Sequence, residues 1–192
     1  AWTDPGGGTT SDYILPFKYG DVVNDAKIGT KSFTMKLPAG NAILYEGFPS
    51  YHVGINPDHT YTISYWVKGN QLSYQKGTSN QWRRSGVSYV WSRSYWENDY
   101  ISGSDINAPI GTYNWIQVTK TGLKPPAKAN TINLVTRGIP YPESASQIWF
   151  DDIQIIDEAT GENLYYDGSF EENRLDYDTA VATQKYGNHL VS

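Results

Sequence analysis

Between Ser88 and Tyr100 the chain reads SYVWSRSYWENDY, with two Trp, three Tyr and one Arg in thirteen residues and no Leu, Ile or Met. Flat rings offer apolar contact, and Arg, Asn and Gln offer hydrogen-bonding forks. A pyranose ring matches both, since it has an apolar C–H face and a belt of hydroxyls. By strand alternation Tyr89, Trp91, Arg93 and Tyr95 share one face, and Val90, Ser92, Ser94 and Trp96 the other. Small serines beside Val90 suit a close-packed inner side, which turns the Tyr-Trp-Arg-Tyr face outward or into a cleft. Trp82, Trp91 and Trp96 are then the candidate stacking rings. The alternative for each is a ring that simply packs inside a β-sandwich.

The arginines refine the chemistry. Arg83, Arg84 and Arg93 lie near these rings in sequence, and Arg137 ends another segment, in a chain of formal charge −5. Arg binds carboxylates through two parallel hydrogen bonds, which admits uronate or pyruvylated sugars as ligands. Ordinary surface charge is the alternative. The tandem carboxylates Asp151 and Asp152 form a further cluster, either solvated at a strand end or facing a cation.

Catalytic constellations are not evident. No Glu-x-Asp-x-x-Glu strand supplies the paired carboxylates of a jelly-roll glycosidase. His52, His59 and His189 each fall in turn-like or terminal contexts, and there is no Gly-x-Ser-x-Gly elbow, phosphate loop or His-Glu-x-x-His. The expectation is a chain that binds rather than reacts.

The elements that must position these residues are short strands. KSFTMKL (31–37) alternates Phe33, Met35 and Leu37 on one face, and TYTISYWVKG (60–69) sets Tyr61, Ile63, Tyr65 and Val67 against Thr62, Ser64, Trp66 and Lys68. The segments 86–96, 114–122, 130–138 and 147–156 show the same period with β-branched and aromatic enrichment. No segment sustains a helical period, and 18 Gly with 10 Pro supply turns between strands. This predicts one all-β domain, an antiparallel sandwich or jelly roll. The first 27 residues read as a loop-rich segment, residues 28–166 as the module, and residues 167–192 as a tail of uncertain allegiance. The acidic balance argues against nucleic-acid binding. No run approaches the roughly 18 apolar residues that span a membrane. With no Cys the chain has neither disulfides nor thiolate metal sites. Its richness in Tyr, Trp, Asn, Gly, Ser and Thr points to a secreted, extracellular setting.

In order and spacing, YTISYWVKG, NWIQVTKTG and IWFDDIQI resemble the carbohydrate-binding modules with a galactose-binding-like β-jelly roll, and IGTKSFTMKL (28–37) is similar to their Gly-x-x-Ser strand. The resemblance covers roughly residues 28–156. It implies a non-catalytic polysaccharide-binding module attached to the catalytic domain of a larger secreted bacterial enzyme. It also implies that Trp115 and Trp149 are structural, leaving Trp66 ambiguous. Such modules open with an Asn-Gly-Ser-Phe-Glu strand. Here the similar string, DGSFEE, stands at 167–172. Either this segment fills the first-strand slot from the far end of the chain, or a following module begins there. The resembled modules often hold one structural calcium, which needs six to eight oxygen ligands. Carried over, its ligands become Asp151 or Asp152, Glu171 and the backbone around Lys31. Two other functions stay open: a structural or adhesive cell-surface module packed against neighbouring domains, and a polysaccharide lyase or hydrolase.

Overall fold

Each of the alternating segments forms a strand because one of its faces is apolar enough to be buried and the other is not. A computed structural model describes residues 20–37, 39, 45–47, 53–76, 82–94, 99–139, 143–166 and 168–171. Among the described residues there is no helix. The strands in chain order are β1 (Gly20–Val23), β2 (Ser32–Leu37), β3 (Tyr45–Gly47), β4 (Val53–Gly54), β5 (Tyr61–Leu72) and β6 (Tyr74–Lys76), followed by β7 (Trp82–Arg84), β8 (Gly86–Ser92), β9 (Tyr100–Asn107), β10 (Gly111–Leu123), β11 (Thr131–Gly138) and β12 (Ser146–Asp157).

These make an antiparallel sandwich. The first sheet has the order β1-β2-β12-β5-β10; the second has β3-β11-β8-β9, with β4 also on β11, and β6 and β7 form a small ribbon. The inner face of the first sheet is the alternation read from sequence: Phe33, Met35, Tyr61, Ile63, Tyr65 and Val67 are all fully buried. From the second sheet come Val87, Tyr89, Trp91, Ile106, Ile132 and Leu134. Rings supply much of this core, and the two tyrosines at its centre are satisfied: the Tyr65 hydroxyl donates to the Ile106 carbonyl at 2.5 Å, and that of Tyr61 donates to the Asn56 carbonyl at 2.9 Å. A buried hydroxyl without a partner would cost about 1–3 kcal/mol.

Two parts of the chain read as loop or tail contribute to the first sheet. Gly20–Val23, inside the supposed loop-rich segment, is an edge strand paired with β2 in register Gly20 to Met35. Residues 168–171 pack on β12 and β2. The Ile153 amide donates to the Gly168 carbonyl at 3.0 Å, and Phe170, 1% exposed, stacks on Phe33 with centroids 5.8 Å apart. Gly168 is compulsory here, since a Cβ would stand 1.8 Å from the Ile153 carbonyl oxygen. A clash with backbone cannot be relieved by rotating a side chain.

Gly168→Ala should therefore destabilise the fold by about 1–3 kcal/mol or more, as overpacked positions do, although it adds one methyl to the segment first read as a tail. Urea unfolding of the two proteins checks this. An unchanged midpoint would mean that 168–171 does not rest on β12.

Candidate functional site

The facing of β8 decides which side chains a ligand can meet. Tyr89 and Trp91 do share a face, but it is the inner one: they are 7% and 4% exposed. Trp91 meets Tyr61 from the other sheet at 6.2 Å between centroids and Tyr89 edge-on at 5.8 Å. This corrects the expectation that the Tyr-Trp-Arg-Tyr face looks outward. Ser88 and Ser92, on the other face, are buried as well, 4% and 2% exposed, and the Ser88 hydroxyl donates to Asp105. Arg93 does not continue the alternation either, because β8 ends at Ser92 and Arg93 stands exposed in a bend.

The outer face of the second sheet follows from the register. Ser88 pairs with Asp105 on β9 and Val135 on β11; Val90 pairs with Gly103 and Asn133; Ser92 pairs with Tyr100 and Thr131. At one end lies a polar network. Arg137 donates from Nη1 to Asp105 Oδ1 at 2.9 Å, and Ser88 donates to the same oxygen at 2.5 Å. No described donor reaches Asp105 Oδ2. In the middle the floor is uncharged and low. Gly103 carries no side chain, and a Cβ there would come within 2.6 Å of the Tyr89 carbonyl. Beside it Asn133 is 6% exposed, and its buried Oδ1 has no hydrogen-bond partner among the described residues. At the far end Tyr100 stands 59% exposed, opposite Ser92. From Thr131 to Arg137 the face runs about 20 Å along β11. It joins an exposed ring, an unpaired buried acceptor and a charged pair.

Of the expected sugar contacts, Arg137 lies on this face. Arg84, exposed in β7, precedes Gly86, the register partner of Arg137. Arg93 sits at the opposite end, where its carbonyl accepts from Asn130 Nδ2 at 2.9 Å. The arginines close in sequence are thus spread along the sheet. The side chains of Trp82 and Arg83, on β7, and residues Tyr95 and Trp96 lie outside what is described. Tyr100, Asp105 and Asn133 were not singled out from sequence. Asn133 and Arg137 do alternate with Ile132 and Leu134. Tyr100 and Asp105 sit on β9, whose single well-buried apolar residue, Ile106, leaves little period to read.

The carboxylates expected to hold calcium are brought together with the loop 27–31. Asp151, fully buried, accepts at Oδ2 from the Lys27 and Ile28 amides (2.7 and 2.8 Å) and at Oδ1 from the Asp152 amide (2.7 Å). Glu171 accepts at Oε1 from the Thr30 and Lys31 amides, both at 2.8 Å, and at Oε2 from the Thr30 hydroxyl at 2.8 Å. The Lys31 ammonium lies 3.1 Å from the Glu171 carbonyl oxygen. Asp152 faces Gln154 instead, accepting its side-chain amide at 2.9 Å. Calcium needs converging oxygens, but here every oxygen of Asp151 and Glu171 meets an N–H or O–H, with an ammonium alongside. The donor set suits carboxylates and does not fit a cation. Burial pushes the Asp151 carboxyl up, partly offset by its amide bonds. The Lys31 and Thr30 amides and the Thr30 hydroxyl hold that of Glu171 below its ordinary value.

A second aromatic surface lies outside the first sheet. Trp66, Trp115 and Trp149 are half-buried there, with Lys27 Nζ 4.5 Å from the Trp66 centroid and Lys68 Nζ 5.2 and 4.4 Å from those of Trp115 and Trp149. Asp25 pairs with Lys68. Ammonium groups already lie over these rings, each contact worth about 0.5–1 kcal/mol, so the strip is braced across its strands.

No family model matches the chain, and no curated protein matches it in sequence. Among solved structures it is similar to a family 61 carbohydrate-binding module in complex with β-1,4-galactotriose, at 13% identity and TM-score 0.50 over 74% of this chain and 84% of that one. A family 16 carbohydrate-binding module gives 16% and 0.46 over 73% and 88%, and the family 30 module of a cellulosomal cellulase of Clostridium thermocellum 14% and 0.45 over 74% and 84%. At such identity the likeness concerns the fold: the chain has the β-sandwich of carbohydrate-binding modules.

Two outcomes follow from the site. Trp91→Ala should cost about 3–5 kcal/mol of stability, read as an early unfolding midpoint; a normal midpoint would place Trp91 outside the core. Glu171→Gln should lower the melting temperature modestly at pH 7, since two amides keep an acceptor but lose its charge. A depressed carboxylate stabilises the fold above its unfolded value near 4.5, and that contribution is lost as pH falls through the lower folded value. The gap in melting temperature between wild type and Glu171→Gln should accordingly narrow from pH 6 to pH 3, with chelator changing neither protein. A drop in chelator that calcium but not magnesium reverses would assign the carboxylates to a metal.

Proposed function

We propose that the chain is a non-catalytic module that binds polysaccharide along the outer face of its second sheet. The observation that carries this is the exposed ring of Tyr100 on the same face as the partly exposed Arg137–Asp105–Ser88 network. Tyr100 supplies a ring for the apolar face of a sugar, and the network supplies donors and acceptors for its hydroxyls. The fold supports the reading, as does the galactotriose complex of the family 61 module. Secretion and attachment to a catalytic domain complete it. Such a module would hold its enzyme near an insoluble or gel-like substrate, raising effective concentration.

The rival reading, a structural or adhesive module, has a neighbouring domain covering Tyr100 and no glycan bound by the isolated chain. A glycan array decides between them. In the proposed function Tyr100→Ala weakens binding about five- to thirtyfold, the equivalent of about 1–2 kcal/mol of ring contact. It leaves the melting temperature nearly unchanged, because the ring is mostly exposed. Equal binding by wild type and Tyr100→Ala would move the ligand off this face.

A further inference from the structure

Resting on that reading, we infer that the Arg137–Asp105 pair makes the face selective for neutral, hydroxyl-rich glycans and against uronates. An arginine beside a sugar site is commonly a carboxylate receptor, and the sequence invites that view. The register removes it. The Arg137 guanidinium is already engaged by Asp105 at 2.9 Å, and the pair is anchored by Ser88 on the same oxygen. Glu46 on β3 holds the position directly opposite Arg137 across the ladder. The other described residues of this face, Ser88, Val90, Ser92, Tyr100, Gly103, Thr131, Asn133 and Val135, carry no charge. Within the register of β8, β9 and β11 the one positive group, Arg137, is therefore matched by one negative group, Asp105.

A uronate carboxylate reaching Arg137 would have to displace Asp105, or share the guanidinium with it at a few ångströms. Like charges that close repel. A sugar hydroxyl faces no such cost. It can donate to Asp105 Oδ2, which no described donor occupies, and accept from Arg137, whose side chain is 25% exposed. Both exposed polar groups suit hydroxyls.

The test is calorimetric titration of the whole chain with neutral xylo-, gluco-, manno- and galacto-oligosaccharides and with oligoglucuronate and oligogalacturonate. Titrations run at about 50 mM and 500 mM salt. Wild type should bind at least one neutral series and bind its uronate counterpart tenfold or more weakly, with neutral affinity unchanged by salt. Asp105→Asn should lessen the discrimination by raising uronate affinity relative to neutral, and uronate binding by this variant should weaken as salt rises. Thermal melting confirms that the variant is folded. If it is not, Asp105→Ser, which also removes the charge, takes its place. Wild type binding a uronate as tightly as its neutral counterpart, or discrimination unchanged in both folded variants, overturns the selectivity while leaving the binding-module reading intact. Binding to no glycan in the panel overturns that reading, and the selectivity with it.

Discussion

Trp91 lies between Tyr61 of the opposite sheet and Tyr89 of its own strand, and this contact determines what the rest of the molecule can present. Once Trp91 is inside, alternation leaves β8 no freedom. Ser88, Val90 and Ser92 must face out, and with them every residue in register on β9 and β11. A slip of one residue would exchange the two sets completely. The polar face is therefore the obligatory reverse of an aromatic core. Its composition follows from the same constraint: a strand that spends its large residues between the sheets has small and polar ones left for its other side, where Ser88 and Ser92 are buried.

The ends of the sandwich are held differently. The loop 27–31 carries polar backbone groups close to the buried Asp151, and the chain satisfies them with carboxylates instead of further strand pairing. Asp151 comes from the middle of β12 and Glu171 from a segment far along the chain, so one short loop ties three regions together. Phe170 adds apolar contact with Phe33, and Gly168 allows the backbone close enough for both. This corner stabilises the sheet opposite the proposed binding face. The braced Trp66, Trp115 and Trp149 strip on the same sheet leaves its rings engaged with lysines.

Much of the fold was legible because burial imposes a period of two. Phe33, Met35, Tyr61, Ile63, Tyr65 and Val67 were read as inner-face residues and are buried as such. The proposed binding face was less legible. The alternation of β8 was correct and its serines are close-packed as read, but Tyr89 and Trp91 are buried between the sheets as well. Charge was less legible for a related reason: Arg84 and Arg93 lie at opposite ends of β8. The partner that defines Arg137 comes from β9, thirty-two positions away, a strand with almost no hydrophobic period.

The amino-acid sequence by itself determined an all-β antiparallel sandwich with an aromatic core, because period, ring content and turn residues are local properties of the chain. It also pointed to rings beside hydrogen-bonding groups as the candidate ligand chemistry. Only the tertiary structure decided which rings are buried and which stand exposed beside polar groups. A strand's two faces are equivalent until another sheet covers one. The Tyr61–Trp91 contact breaks that equivalence, and Tyr100, Asp105, Asn133 and Arg137 come to share a surface as its consequence.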